Sequence, residues 1–258
     1  MHNLSNHTLS ITSQGHGKPL ILLHGWGFSS QIWTPLIPLL THHYRVICID
    51  LPGHGQSLWT PLCNDLNHVI ENLVRFTPPN AIWLGWSLGG LLALAVLQKH
   101  PEHVKQLLLV ASTPKFVESE DWPHGITKEV IAGFAERLHA NTTATLARFI
   151  TLQNLGSPHA RQETRALSQY IQHPPNTAGL DWGLNLLNTL DLRSVLKNTE
   201  KSIHCLFGPK DSLVPLALAD YLLENYPHIK THVLAQAAHM PFFSHPNEFI
   251  LWLHDVTQ

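Results

Sequence analysis

The stretch Ala81-Ile82-Trp83-Leu84-Gly85-Trp86-Ser87-Leu88-Gly89 decides the fold. Its first four residues form an apolar run that reads as a buried strand, and residues 88–100 read as a helix. Between them stands Gly-x-Ser-x-Gly, a serine on a strand-to-helix corner. Such a corner is too tight for a Cβ at either glycine. It lifts the hydroxyl out of the sheet and onto a helix N-terminus, where unpaired N–H groups and the helix dipole favour negative charge. An alkoxide and an oxyanion both want that environment. A Gly/Ser-rich turn without chemistry would share the five residues; the flanking strand and helix favour the nucleophile.

Outward from this corner, apolar runs at 20–23, 44–49, 104–110, 203–207 and 232–234 read as further strands. Helical patterns cover 32–40, 66–76, 216–225 and 246–256, the last with Pro246 in its first turn. Near-continuous apolar strands linked by helices predict an α/β fold, with a mostly parallel central sheet covered on both faces. Residues 8–12 are expected to add an antiparallel edge strand. The alternation breaks between about 114 and 196, where Trp122-Pro123, Gly156-Ser157-Pro158 and His173-Pro174-Pro175 mark turns in a helical stretch. The expected division is a core of residues 1–113 and 197–258 with a helical insertion, 114–196, over the carboxyl end of the sheet. Ligands bind at that end of open α/β sheets, so the insertion is expected to form a lid.

The composition limits the function classes. Apolar residues make up 44% and charged residues 13% of 258, which describes a globular chain and excludes a disordered one. A net charge of −2 gives no global attraction to nucleic acid or to an anionic membrane. Cys48, Cys63 and Cys205 are widely spaced without a Cys-x-x-Cys pair, and Cys48 and Cys205 lie in apolar runs, so buried thiols are expected rather than a metal site. Residues 1–13 are polar and do not read as a signal peptide, and no apolar run approaches the roughly 18 residues of a membrane span. A cytoplasmic enzyme is expected, and a monomer, since no unusual apolar stripe is apparent.

A serine hydroxyl needs a base, and the base needs an acid to orient it. On an elbow of this type the partners follow in the order Ser, acid, His. Asp211 lies just past the run 203–207, in Gly208-Pro209-Lys210-Asp211-Ser212, where the acid is expected; Asp181 and Asp191 are rivals inside the insertion. His239, in Ala237-Ala238-His239-Met240-Pro241, follows the final strand with small neighbours that let an imidazole reach across. His245 reads as a capping residue, and His24 and His54 precede the serine. His24-Gly25-Trp26-Gly27 follows the first apolar strand and is the candidate oxyanion loop. The N–H groups of Trp26 and Leu88 are the expected donors, and losing either is expected to raise the barrier by about 3 kcal/mol. The turn Leu51-Pro52-Gly53-His54-Gly55-Gln56-Ser57 reads as structural.

These motifs together resemble the α/β-hydrolase superfamily over nearly the whole chain. Within it, the chain resembles the pimeloyl-[acyl-carrier protein] methyl ester esterase family of biotin synthesis. The segments carrying this include residues 81–90, Arg148-Phe149, Leu152-Gln153, Ala160-Arg161-Gln162, Arg165-Ala166-Leu167, Ala237-Ala238-His239 and Pro241-Phe242. The segments inside the insertion weigh most, because lids vary most among relatives. The resemblance implies hydrolysis of a carrier-borne methyl ester by Ser87, His239 and Asp211, with no metal or organic cofactor. It implies that Trp26 and Leu88 flank the ester, that Phe149 lines an acyl tunnel, although Phe149 taken by itself reads equally as plain lid core, and that Arg148, Arg161 and Arg165 dock an acidic acyl-carrier protein. One further arginine of that docking set is Ala144 here. Without the resemblance, Arg161 and Arg165 read as a solvated helix face, free or paired with Glu163. Two other functions use the same residues: a broad short-chain carboxylesterase, and a ligand receptor on a hydrolase scaffold.

Overall fold

The computed structural model describes residues 8–157, 159–171 and 176–258. The predicted turn at 173–175, Pro158 of the preceding turn signal, and residues 1–7 of the polar N-terminus lie outside the described residues.

Seven strands form one sheet: β1 (Ile11–Gln14), β2 (Lys18–Leu23), β3 (Tyr44–Ile49), β4 (Ala81–Trp86), β5 (Val104–Val110), β6 (Ser202–Phe207) and β7 (Ile229–Val233). Their order is β1-β3-β2-β4-β5-β6-β7, parallel throughout except for β1, which runs antiparallel to β3. The helices are α1 (Ile37–Leu40), α2 (Leu66–Arg75), α3 (Leu88–Lys99), α4 (Lys128–Ala140), α5 (Thr142–Gln153), α6 (Ala160–Ser168), α7 (Thr177–Thr189), α8 (Arg193–Asn198), α9 (Ala217–Asn225), α10 (Pro241–Ser244) and α11 (Pro246–Val256). From β2 the chain steps to β3 on one side, then returns to place β4 on the other. That reversal opens a crevice at the carboxyl ends of β2 and β4, where an open α/β sheet binds its ligands.

The burial pattern explains the strands. Every residue of β4 is buried, as is all of β5 except Lys105. Helix α3 is buried on every side from Leu88 to Leu97, because it lies on the sheet and is covered in turn by α7 and α2. Helix α2 shows the opposite design. Only Val69, Ile70, Leu73 and Val74 are buried, and Asp65 caps it by accepting the Asn67 N–H at 2.9 Å.

Three predicted elements differ. The helix expected over 32–40 is a 3-10 turn, Ser30–Trp33, followed by the four-residue α1; Pro35 and Pro38 cannot donate to a continuous helical ladder. The edge strand expected at 8–12 is β1, although the Ser10 carbonyl still accepts the Asp50 N–H at 3.0 Å. The last strand is not 232–234 but β7, an edge strand whose Lys230 and Val233 face solvent.

Between β5 and β6 the chain forms α4 to α8. Helix α4 packs against α5 and α7, and α7 reaches α3. Hydrogen bonds tie this insertion to the rest, among them Asn176 N–H to Gly53 O at 2.8 Å, Trp26 Nε1–H to Leu180 O at 2.8 Å and His239 N–H to Gln153 O at 3.3 Å, while Leu192 N–H to Pro114 O at 2.9 Å draws its own ends together. Arg193 joins its two ends by pairing with Asp121 at 2.9 Å and Asp191 at 2.6 Å. Cys48, Cys63 and Cys205 are free and buried, and burial pushes the Cys48 and Cys205 thiols up to about 12. Among the described residues, no helix is long and apolar enough to cross a membrane.

Candidate active site

Ser87 sits at φ 54°, ψ −119° between β4 and α3. A non-glycine residue there stores about 1–3 kcal/mol of strain, which the surroundings must hold in place. They do so at both main-chain groups. The Ser87 N–H donates to Val110 O at 3.0 Å, and its carbonyl accepts Ser112 Oγ at 2.8 Å and the Gly90 N–H at 2.9 Å. A Cβ on Gly85 would press into the backbone of Gly89 and Gly90, and one on Gly89 into the Leu23 and His24 carbonyls. The corner therefore requires both glycines.

His239 lies beyond β7 and Asp211 beyond β6, and the structure brings them together. His239 Nδ1 donates to Asp211 Oδ2 at 2.8 Å, with both side chains all but inaccessible to solvent. The other carboxylate oxygen accepts the N–H groups of Leu213 at 2.8 Å and Val214 at 3.1 Å, so the acid is fixed in orientation. With the proton on Nδ1, the lone pair of Nε2 is free. Nε2 is buried and has no hydrogen-bond partner, Ser87 Oγ included. The rivals are engaged elsewhere: Asp181 with His139 at 3.2 Å, Asp191 with Arg193 and Lys115, and His245 with Ser244 Oγ at 2.8 Å.

The N–H groups of Trp26 and Leu88 donate to nothing among the described residues, as open oxyanion donors must. Two histidines hold the loop that carries Trp26. His24 Nδ1 donates to Gly25 O at 2.8 Å, and its Nε2 accepts the Leu51 N–H at 2.9 Å. His54 Nδ1 donates to Pro52 O at 3.0 Å, and its Nε2 accepts the Gly27 N–H at 3.4 Å. Both are fully buried. Burial lowers the pKa of His24 and, with His24 alongside, pushes His54 down to about 3. The turn over 51–57 thus buttresses the loop that carries Trp26. Its own base is Asp50, whose carboxylate accepts Ser30 N–H at 2.7 Å and Gln56 N–H at 2.9 Å.

This arrangement has a pH consequence. The unfolded chain protonates such a histidine below about 6.5, whereas folded His54 stays neutral to about 3. Its stabilising contribution is complete above 6.5 and is lost as pH falls through that window, at about 1.4 kcal/mol per pH unit. Thermal unfolding of wild type and His54→Gln, measured as pH is lowered from 6.5, is expected to show the steeper decline in wild type. Parallel declines would remove His54 from the account.

The sequence matches the α/β hydrolase fold family over residues 18–246. The chain is an α/β hydrolase. It is 41% identical over 232 residues to the pimeloyl-[acyl-carrier protein] methyl ester esterase of Klebsiella pneumoniae, covering 89% of this chain and 90% of that protein. The enzyme of the same name from Yersinia enterocolitica is 40% identical over 241 residues, 93% of each chain. Among solved structures, an esterase from Exiguobacterium antarcticum superposes with a TM-score of 0.85 at 22% identity, covering 96% of this chain and 94% of that one. A bromoperoxidase from Bacillus anthracis gives 0.86 at 21% identity, covering 95% and 94%. At such identities these two structures establish the fold alone.

Above the elbow of this hydrolase lies an aromatic cluster. The Trp26 ring meets Phe149 edge-on at 4.8 Å and Phe134 at 6.3 Å, and its indole N–H donates to Leu180 O in α7 at 2.8 Å. Ser87, Trp26 and Leu88 are all buried under this cover. Phe149 points inward, whereas its neighbour Arg148 is exposed. Arg161 and Arg165 on α6 are also exposed, and none of the three guanidinium groups has an ion-pair or hydrogen-bond partner among the described residues; the Arg165 main-chain carbonyl accepts Ser168 Oγ at 2.7 Å. Glu163 does not neutralise them, since it is buried and accepts Ser157 Oγ at 2.9 Å. Ala144 is exposed one turn before Arg148 on α5.

Sequence reasoning gave no role to Ser112, which grips the Ser87 carbonyl, or to Gln153, whose main-chain carbonyl accepts the His239 N–H at 3.3 Å. Neither lies in a motif with the nucleophile; Gln153 enters the sequence reading only within the Leu152-Gln153 segment of the family resemblance, and no pattern signals Ser112.

Proposed function

We propose that this α/β hydrolase is a carboxylesterase that cleaves the methyl ester of pimeloyl-[acyl-carrier protein], releasing pimeloyl-[acyl-carrier protein] and methanol in biotin synthesis. The observation that carries the hydrolytic reading is the buried His239–Asp211 pair with Nε2 left as an open acceptor. Ser87 Oγ attacks the ester carbonyl while Nε2 takes its proton. The oxyanion that forms is held by the N–H groups of Trp26 and Leu88. As the tetrahedral intermediate collapses, the imidazolium returns that proton to the departing methoxide. Water then adds to the acyl-enzyme by the same route and releases the carboxylate. Asp211 stabilises the imidazolium and keeps the proton on Nδ1.

Residues 114–196 act as the lid in this reading. The closed cover over Ser87 fits a site that must open for its substrate, and Phe149 with Phe134 offers the apolar wall an acyl chain needs. The relatives' names supply the carrier. Arg148, Arg161 and Arg165 support it on physical grounds, because three unpaired guanidinium groups on α5 and α6 suit an acidic partner. Ala144 removes one charge from that face.

Charge reversal tests the carrier reading. Arg161→Glu with Arg165→Glu is expected to lower kcat/KM on the carrier-borne methyl ester by about 10- to 100-fold, through lost attraction and new repulsion. Hydrolysis of free dimethyl pimelate is expected to be unchanged. Equal rates on the carrier substrate before and after would reduce the enzyme to a broad carboxylesterase.

A further inference from the structure

Trp86, the residue before the nucleophile, has no assigned part in the chemistry above. It is fully buried, and its surroundings are not those of an ordinary core tryptophan. Its indole N–H donates to the main-chain carbonyl of His239 at 2.9 Å, a bond spanning 153 residues. Its ring lies so close beneath Gly25 that a Cβ there would stand 3.0 Å from Cε3 and Cζ3. Phe28, just past the oxyanion loop, meets it edge-on at 5.2 Å, and Phe242, just past the His239 loop, meets it at 5.2 Å. The imidazole of His239 stands 5.8 Å away, ring centre to ring centre. One rigid side chain therefore touches the loop of the base and the loop of the oxyanion donors, while its own main chain leads into Ser87.

We propose that Trp86 is a positioning residue for ester hydrolysis: its N–H fixes the main chain of His239, and its ring seats the oxyanion loop at Gly25. The need for such a part follows from the geometry. His239 Nδ1 is anchored by Asp211, yet its ring can still swing unless the main chain is held. Its own N–H has only the longer bond to Gln153 O, at 3.3 Å. The Trp86 bond is the shorter of the two main-chain ties, and its loss leaves a buried carbonyl unpaired. An indole suits the task because it spans both loops, packs on three aromatic rings and still offers one donor at its edge. Phenylalanine would fill much of the space and lose the tether.

The inference rests on the catalytic roles proposed for Ser87 and His239, and the test separates the two. Benzothienylalanine at position 86 keeps the ring shape and replaces the N–H with sulfur; azatryptophan keeps the N–H. The sites are counted by titration to completion with a phosphonate, and kcat is expressed per titrated site on a p-nitrophenyl ester. Benzothienylalanine is expected to lower kcat about tenfold with KM unchanged, and Trp86→Phe by at least as much. Azatryptophan is expected to hold kcat near the wild-type value. Trp33→Phe is the packing control: Trp33 packs on Trp86 at 6.5 Å, and its own indole N–H is unpartnered. It is expected to leave kcat per site within about twofold. Wild-type kcat with benzothienylalanine, alongside an inactive Ser87→Ala, overturns the role of Trp86 alone. Retained activity in Ser87→Ala overturns the catalytic reading beneath it.

Discussion

Ser87→Ala is expected to lower kcat on a p-nitrophenyl ester by about a million-fold, with the fold intact. The size follows from how such residues act: removing the nucleophile disables the base and the acid with it, so the loss approaches that of removing all three. A residual rate of roughly 10³–10⁴ over water is expected, since Trp26 and Leu88 would still offer their N–H groups to an oxyanion. The fold should persist because the bonds that hold the corner are main-chain ones, from Ser87 N–H to Val110 and from Ser112 Oγ to the Ser87 carbonyl. Alanine keeps both. Ser87→Gly is the informative companion. It is equally inactive, but it accepts φ 54° without strain and is expected to raise stability by about 1 kcal/mol. Turnover near wild type in Ser87→Ala would place the nucleophile elsewhere. Lost activity with a lowered melting temperature would mean that the hydroxyl serves the fold instead.

What the sequence reveals follows the strength of local pattern. Strands β3 and β5 coincide with their apolar runs because both faces of each are covered, leaving little polar interruption to blur the ends. At the sheet edge that logic fails: β7 alternates buried Ile229 with exposed Lys230 and half-buried Thr231, so only its tail reads as apolar. In 32–40 the apolar spacing is helical, but Pro35 and Pro38 override it. Within the candidate site, Ser87, Asp211 and His239 are legible because each sits at a fixed place relative to a strand end. Trp86 and Ser112 act through main-chain carbonyls, His239 O and Ser87 O. Every residue has a carbonyl, so no residue type marks those partners in advance. His54 shows the intermediate case. Its turn is visible in the sequence, whereas the Gly27 N–H it accepts appears only once the two loops are packed together.

Asp211→Asn is expected to cost about 10⁴-fold in kcat while leaving KM and stability nearly unchanged. In the wild type one carboxylate oxygen accepts His239 Nδ1–H and the other accepts the N–H groups of Leu213 and Val214. An asparagine keeps its oxygen on the two main-chain donors, because an NH₂ there would face N–H groups. That choice turns the NH₂ towards His239 Nδ1, which must then accept. The ring proton moves to Nε2, and the atom that should take the serine proton becomes a donor. The geometry survives while the tautomer is wrong, so binding is spared and chemistry is lost. Asp211→Ala removes the oxygen as well and strands the Leu213 and Val214 N–H groups, adding a stability loss of about 1–3 kcal/mol that the asparagine variant avoids. Asp191→Asn provides the contrast: its carboxylate pairs with Arg193 at the exposed ends of the insertion, so activity is expected to stay within about twofold. Should Asp191→Asn match Asp211→Asn in lost kcat, or Asp211→Asn retain activity, His239 would have to be oriented by something other than the carboxylate it touches.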